Sequence, residues 1–177
     1  MGNINMQKKR LLKMEKDAII DLFLLNIRNL WRVDGLYFLG IEKRFSTDVA
    51  IDIDKECWEI MGKIEAKQLK KFFGFKKLDI TSFGIALSHT SWSFDHPSFE
   101  IKENKKSLIY RIRDCHTQKS RLKKGLKEFP CKLVRLSYLK SFAKEFSPSI
   151  DLICRVCPPD KHPDDLWCEW EFKDETY

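Results

Sequence analysis

Four of the chain's six cysteines, Cys131, Cys154, Cys157 and Cys168, fall late in the sequence as C-x22-C-x2-C-x10-C. Thiolates at that spacing can share one metal ion. The pair in Cys154-Arg155-Val156-Cys157 offers two sulfurs from one turn, and single cysteines before and after it complete a tetrahedron. Four sulfur ligands leave no open coordination position, which is the structural kind of zinc site. The same residues would also suit an iron–sulfur or other redox-active centre, or stay as buried thiols. Structural Zn2+ is the expectation taken forward.

Other residues invite chemistry less directly. Cys115 and His116 set a thiol beside a base, as a candidate catalytic pair or a substitute metal ligand, although neighbours on a strand point to opposite faces. Asp34 and Glu42 lie among Trp31, Tyr37 and Phe38, where carboxyl groups could act as general acid or base; a helix cap at Asp34 and a solvated Glu42 are the simpler account. His89, Trp92 and His96 cluster before the first expected strand, at a loop able to close over a small molecule. Trp31, Asp34, Tyr37, Trp92 and Tyr110 are the candidate ligand-binding residues.

The elements that must position these groups follow from periodicity. Residues 5–32 read as one helix, with Ile19, Ile20, Phe23, Leu24, Ile27, Leu30 and Trp31 at helical spacing. Asp34-Gly35 breaks the pattern, and Asp34 is placed as the cap of a second helix through Arg44. A third helix spans about 49–73, opened near Ser46, Thr47 and Asp48 and closed by Gly74, with Asp54 able to start it afresh and Cys57 in its core stripe. A shorter helix over 78–89 opens at Asp79 or Thr81. The period then changes: 98–103 and 107–114 alternate as a β-hairpin around Asn104-Lys105-Lys106. Residues 116–126 form a polar helix, and 131–146 form an apolar-striped one after Pro130. A second hairpin, 150–156 with 166–173, encloses a proline-rich connection; Trp167–Phe172 has strand-like aromatic content without clean two-faced alternation.

The chain thus reads as one α+β domain over 1–177, mainly helical over 1–90 and mixed over 91–177. The helical half packs on an antiparallel sheet whose C-terminal hairpin carries the four-cysteine metal staple. At 43% hydrophobic and 12% aromatic residues, 177 positions can bury a sizeable core. No apolar run approaches the roughly 18–20 residues of a membrane span. The charged N-terminus does not read as a secretory signal, so a cytoplasmic setting with reduced thiols is expected. A net charge of +7 and the patch Lys119, Arg121, Lys123, Lys124, Lys127, Lys132 and Arg135 raise nucleic acid as a partner. No helix-turn-helix, finger or RNA-binding strand signature accompanies the charge, so nucleic acid is set aside.

The cysteine pattern resembles the 4-vinyl-reductase-type ligand-binding domain, including the aromatic-sensing domains of phenol-responsive transcription activators. Those domains hold zinc with a Cys at a helix start, a Cys or Glu three residues before another Cys, and a Cys on the last strand; the matching positions are Cys131, Cys154, Cys157 and Cys168. Cys154 stands where the sensors carry a glutamate, and the connection before Cys168 is longer. Over the whole chain, Trp31-Arg32-Val33-Asp34-Gly35-Leu36-Tyr37-Phe38, Gly125 to Cys131, and Cys157-Pro158-Pro159-Asp160 through Trp170 resemble a family of uncharacterised cytosolic proteins from archaea and anaerobic bacteria. That family is similar to the L-2-amino-thiazoline-4-carboxylic acid hydrolase group. The resemblances imply a zinc-stabilised, sensor-like domain binding a small organic ligand, with output through a partner or a homodimer. The alternative is a hydrolase of a small sulfur or nitrogen heterocycle, with Cys115, His116 or the metal as reactive centre.

Overall fold

The computed structural model describes residues 2–176 of the chain, in an α+β arrangement. Helices α1 (Gly2–Leu11), α2 (Lys16–Arg44), α3 (Thr47–Phe73), α4 (Ile80–Ser88) and α5 (Ser91–Asp95) precede strands β1 (Phe99–Glu103) and β2 (Ser107–Ile112). Helices α6 (His116–Lys123) and α7 (Lys132–Phe146) then lead to β3 (Ile150–Val156) and β4 (Cys168–Asp174). No helix among the described residues is long and apolar enough to cross a membrane.

The first two helices differ from expectation. The break falls between Leu11 and Lys16, and α2 runs unbroken through Asp34-Gly35. A helical glycine costs about 1 kcal/mol, but the buried Trp31 and Phe38 on either side hold that turn against the core. Asp34 caps nothing: its carboxylate accepts a hydrogen bond from Trp58 Nε1 at 3.0 Å.

Other boundaries follow local chemistry as read. Ser46 Oγ accepts the Val49 amide at the start of α3, and Gly74, at φ +62°, ends it by donating to the Lys70 carbonyl. Positive φ suits glycine, which has no Cβ to clash. Asp79 and Ser82 form a reciprocal capping box at α4. Asp54 does not restart α3; it lies mid-helix. Cys57 is exposed rather than in the core, one position off the buried stripe of Ala50, Trp58, Gly62 and Ala66. Residues 91–95, expected as loop, form α5 behind a Thr90 cap.

The sheet is antiparallel throughout in the order β1-β2-β4-β3. Leu108, Tyr110 and Ile112 of β2 stand opposite Phe172, Trp170 and Cys168 of β4, and all are buried. Helices α4 and α7 cover this face through Phe83, Phe142 and Phe146. The other face carries ion pairs: Arg111 with Glu169, and Arg155 with Glu171. Counted from Cys168, β4 alternates cleanly, with Glu169, Glu171 and Lys173 turned away from the helices. This corrects the reading of Trp167–Phe172 as lacking two faces: Trp167 lies before the strand and sets an aromatic residue in line with its charged side.

Helices α3 and α7 pack most closely. A methyl group on Gly62 would meet Ser141 Oγ at 2.3 Å and the Tyr138 carbonyl oxygen at 2.5 Å. Ser141 Oγ instead bonds the Glu59 carbonyl at 2.8 Å, tying the helices together. The same apposition sets Trp58 against Tyr138, with ring centroids 5.5 Å apart.

Candidate ligand cavity and metal ligands

The four late cysteines converge where α7 begins and the β3–β4 hairpin ends. Cys131 is the cap of α7, Cys154 lies on β3, Cys157 follows it, and Cys168 opens β4. Cys131 Sγ is 3.5 Å from Cys157 Sγ. That is close to the sulfur–sulfur edge of roughly 3.8 Å implied by Zn–S bonds of about 2.3 Å in a tetrahedron. Cys157 also bonds Cys154; these two contacts push the Cys157 thiol up and lower Cys131 and Cys154. Burial pushes Cys168 up as well. No three of the four sulfurs lie within 4.8 Å of one another. One tetrahedral edge is therefore formed, between Cys131 and Cys157, and four thiols gathered at one end of the sheet are the kind of donor set that suits zinc.

A cavity of about 720 Å³ opens beside this cluster, lined by Trp31, Asp34, Phe38, Leu39, Asp54, Asp95, His116, Phe129 and Arg135 among others. Arg28, Arg32 and Lys124 bring exposed cations to it. Arg135 is buried, and its guanidinium lies 4.7 Å from the Trp31 ring centre, 4.9 Å from Trp58, 5.5 Å from Trp92 and 5.8 Å from Tyr138. Trp31 and Trp58 stack at 4.5 Å. The aromatic faces stabilise the cation, yet Arg135 Nη1 has no hydrogen-bond partner.

Carboxyl groups balance that charge. Burial raises Asp34, and burial together with the nearby Asp34 charge raises Asp54 to about 7; the two are hydrogen-bonded, so Asp54 holds a proton near neutrality. Burial also raises Asp95 to about 6, opposed by His116 and Arg135. Asp95 Oδ2 is buried without a hydrogen-bond partner. His96 is buried, which lowers it to about 4, and its Nδ1 lies 3.0 Å from the Trp92 carbonyl.

The structure brings together only part of the predicted ligand set. Of that set Trp31 and Asp34 line the cavity, while Trp92 supports it from beneath Arg135; His116, read from the sequence as a catalytic candidate, lines it as well. Tyr37 does not: at 72% exposure it sits over a shallower groove with Leu36, Gly40 and Phe45, because α2 continues as one helix and turns it outward. Tyr110 is fully buried on β2, stacked on Trp92 and Phe99 with its hydroxyl 3.0 Å from Ser93 Oγ. It is a core residue. Cys115 lies 3.6 Å from His96 Nε2 and not against His116, and burial pushes its thiol up to about 12.

Four of the seven residues of the basic patch are buried or paired with a carboxylate or aromatic rings. Arg121 is buried in a bidentate pair with Glu42, both contacts at 3.0 Å, which lowers Glu42. Arg135 faces inward, and Lys119 and Lys132 pair with Asp114 and Asp160. Arg135, Asp54 and Asp95 are the site residues that sequence reasoning missed. The available signal was Arg135 falling on the apolar stripe of Val134, Tyr138 and Leu139 rather than opposite it.

One family model matches residues 10–174 of the chain, and its description is Family of unknown function (DUF6125). No curated protein matches, and no solved structure matches.

Proposed function

We propose that this chain, which belongs to that family, is a zinc-stabilised domain that binds a small organic ligand in the cavity beside α2, α3, α6 and α7. The observation that carries the reading is Arg135 Nη1, buried in the cavity wall with no acceptor. A desolvated N–H without a partner costs free energy that a ligand carboxylate or carbonyl would recover. Trp31, Phe38, Leu39 and Phe129 offer apolar surface to the rest of such a molecule. Zinc held by Cys131, Cys154, Cys157 and Cys168 would fix the start of α7 to the last hairpin, and its chemistry is structural. The cysteine spacing that resembles 4-vinyl-reductase-type domains supports the same assignment.

The sensor-like reading assigns output to a homodimer, for which exposed Leu30, Val33, Leu36 and Tyr37 on α2 offer apolar surface. The rival hydrolase reading, with Cys115 as nucleophile, has less support. A thiol raised to about 12 supplies no thiolate at neutral pH, and four thiolates around zinc leave no position for substrate. The test is elemental analysis and native mass spectrometry of protein purified without chelator. One equivalent of zinc and a retained small acid are expected. Metal-replete protein that retains no organic ligand and binds none from a panel of small carboxylic acids would overturn the reading.

A further inference from the structure

We propose that Asp95, His96 and His116 form a site for one divalent transition-metal ion in the cavity wall, separate from the four cysteines. Their ligand atoms all lie within 4.8 Å of one another. The end of α5 meets the start of α6 to bring this about: Asp95 is the last residue of α5, His96 caps it, and His116 opens α6.

The independent observation is the state of Asp95. Its side chain is 3% exposed and its Oδ2 lies 3.3 Å from His116 Nε2, yet that oxygen makes no hydrogen bond. A buried carboxylate oxygen whose nearest nitrogen, His116 Nε2, stands in ion-pair range without making a hydrogen bond is under-satisfied, and a cation shared by the two side chains satisfies both. His96 is oriented for the same purpose. Its Nδ1 faces the Trp92 carbonyl at 3.0 Å, which assigns the proton to Nδ1. The Nε2 lone pair is left to a metal ion or to the Cys115 thiol, 3.6 Å away. A backbone acceptor behind one ring nitrogen is the usual support for a ligating imidazole.

Two imidazoles and one carboxylate suit zinc or ferrous iron, and three protein ligands leave coordination positions open. Asp95 and His116 both line the cavity, so an ion here borders the space in which the proposed organic ligand would lie. The inference rests on that reading for the identity of the space alone, since the three side chains hold the ion with or without an organic ligand.

The test is equilibrium dialysis of the protein as purified against Co(II), with zinc and cobalt both counted. Total metal should rise by one equivalent. His116→Ala should weaken that uptake by roughly 100-fold or more, since losing a ligand costs at least as much as losing its support; its side chain is 51% exposed, so folding survives the change. Asp95→Asn should act alike. Arg135→Met, which removes the buried cavity cation that lacks a carboxylate pair, should leave cobalt uptake in place, so that the ligand reading and the metal site fail separately. No rise in total metal, or uptake by His116→Ala equal to that of the unaltered protein, would sink the proposal.

Discussion

Arg135 donates its backbone amide to the carbonyl of Cys131 at 2.9 Å, so the cysteine that caps α7 and the arginine that enters the cavity stand one turn apart on the same helix. The guanidinium therefore inherits its position from the helix start. That start is held from outside by the Lys132 amide donating to the Pro158 carbonyl at 2.9 Å and by Lys132 pairing with Asp160. A metal joining Cys131 to Cys157 would fix the same junction, which makes the cysteine cluster part of the cavity's architecture without placing it in the cavity.

Cys157→Ala tests this coupling. The variant should lose one equivalent of zinc and more than about 4 kcal/mol of stability, the range in which loss of a structural metal falls. A chelator should destabilise the unaltered protein and leave the variant unchanged. Urea denaturation with and without chelator, alongside elemental analysis, makes the comparison. Equal chelator sensitivity of the two proteins would refute a metal at these thiols.

Arg135→Met keeps an unbranched apolar stem among Trp31, Trp58 and Trp92 while removing the charge. Retained ligand should disappear in native mass spectrometry, and stability should fall by about 1–3 kcal/mol as the ring contacts are lost. Tyr37→Ala, altering an exposed side chain, should retain ligand as the unaltered protein does. Ligand binding that survives Arg135→Met at full strength would remove the arginine from the site.

Much of the fold was legible because local chemistry and periodicity agree. Asp79 and Ser82 cap α4, Gly74 ends α3, and Asn104 to Ser107 turns the first hairpin. The errors arise where tertiary contacts override a local signal. Asp34-Gly35 reads as a break, yet Trp58 engages Asp34 from another helix and the turn stays helical. The cavity was legible only in Trp31, Asp34 and His116. Arg135 is marked in the sequence only by its place on the apolar stripe of α7, and three of the four rings around it come from other helices. Asp54 and Asp95 carry no local mark at all, because their character comes from burial and from charges on other elements.

Asp54 makes stability depend on pH with a definite sign. Its carboxyl holds a proton up to about 7 in the folded chain, against an ordinary value of 3.8. Between those values the folded state binds more protons than the unfolded state, so this group's contribution to stability falls as pH rises through about 4 to 7 and then levels off. Asp54→Asn removes the titration while its amide can still donate to Asp34. The variant should match the unaltered protein near pH 4 and exceed it at pH 8 by on the order of 2 kcal/mol, part of the roughly 4 kcal/mol that three pKa units represent. Urea midpoints at the two pH values decide it; an unchanged difference between them would show that Asp54 is ionised in the folded chain.

Gly62→Ala probes the contact on which the cavity's aromatic wall depends. The added methyl would meet Ser141 Oγ at 2.3 Å, the Tyr138 carbonyl at 2.5 Å and the Phe142 amide at 3.1 Å. Ser141 Oγ can rotate aside, but only by giving up its bond to the Glu59 carbonyl, and the two backbone atoms belong to α7 itself. Relief must come from the helices moving apart. Alanine's better helix propensity returns about 1 kcal/mol, while overpacking costs about 1–3 kcal/mol or more. Backbone is the obstacle here, so the cost should lie at the upper end of that overpacking range, about 3 kcal/mol, and the net effect should be a loss of about 2 kcal/mol once the propensity gain is taken off. Because Trp58 and Tyr138 face each other across the same contact, their near-ultraviolet circular dichroism should weaken in the variant. A Gly62→Ala protein as stable as the original, with that signal intact, would mean α3 and α7 lie farther apart than this packing requires.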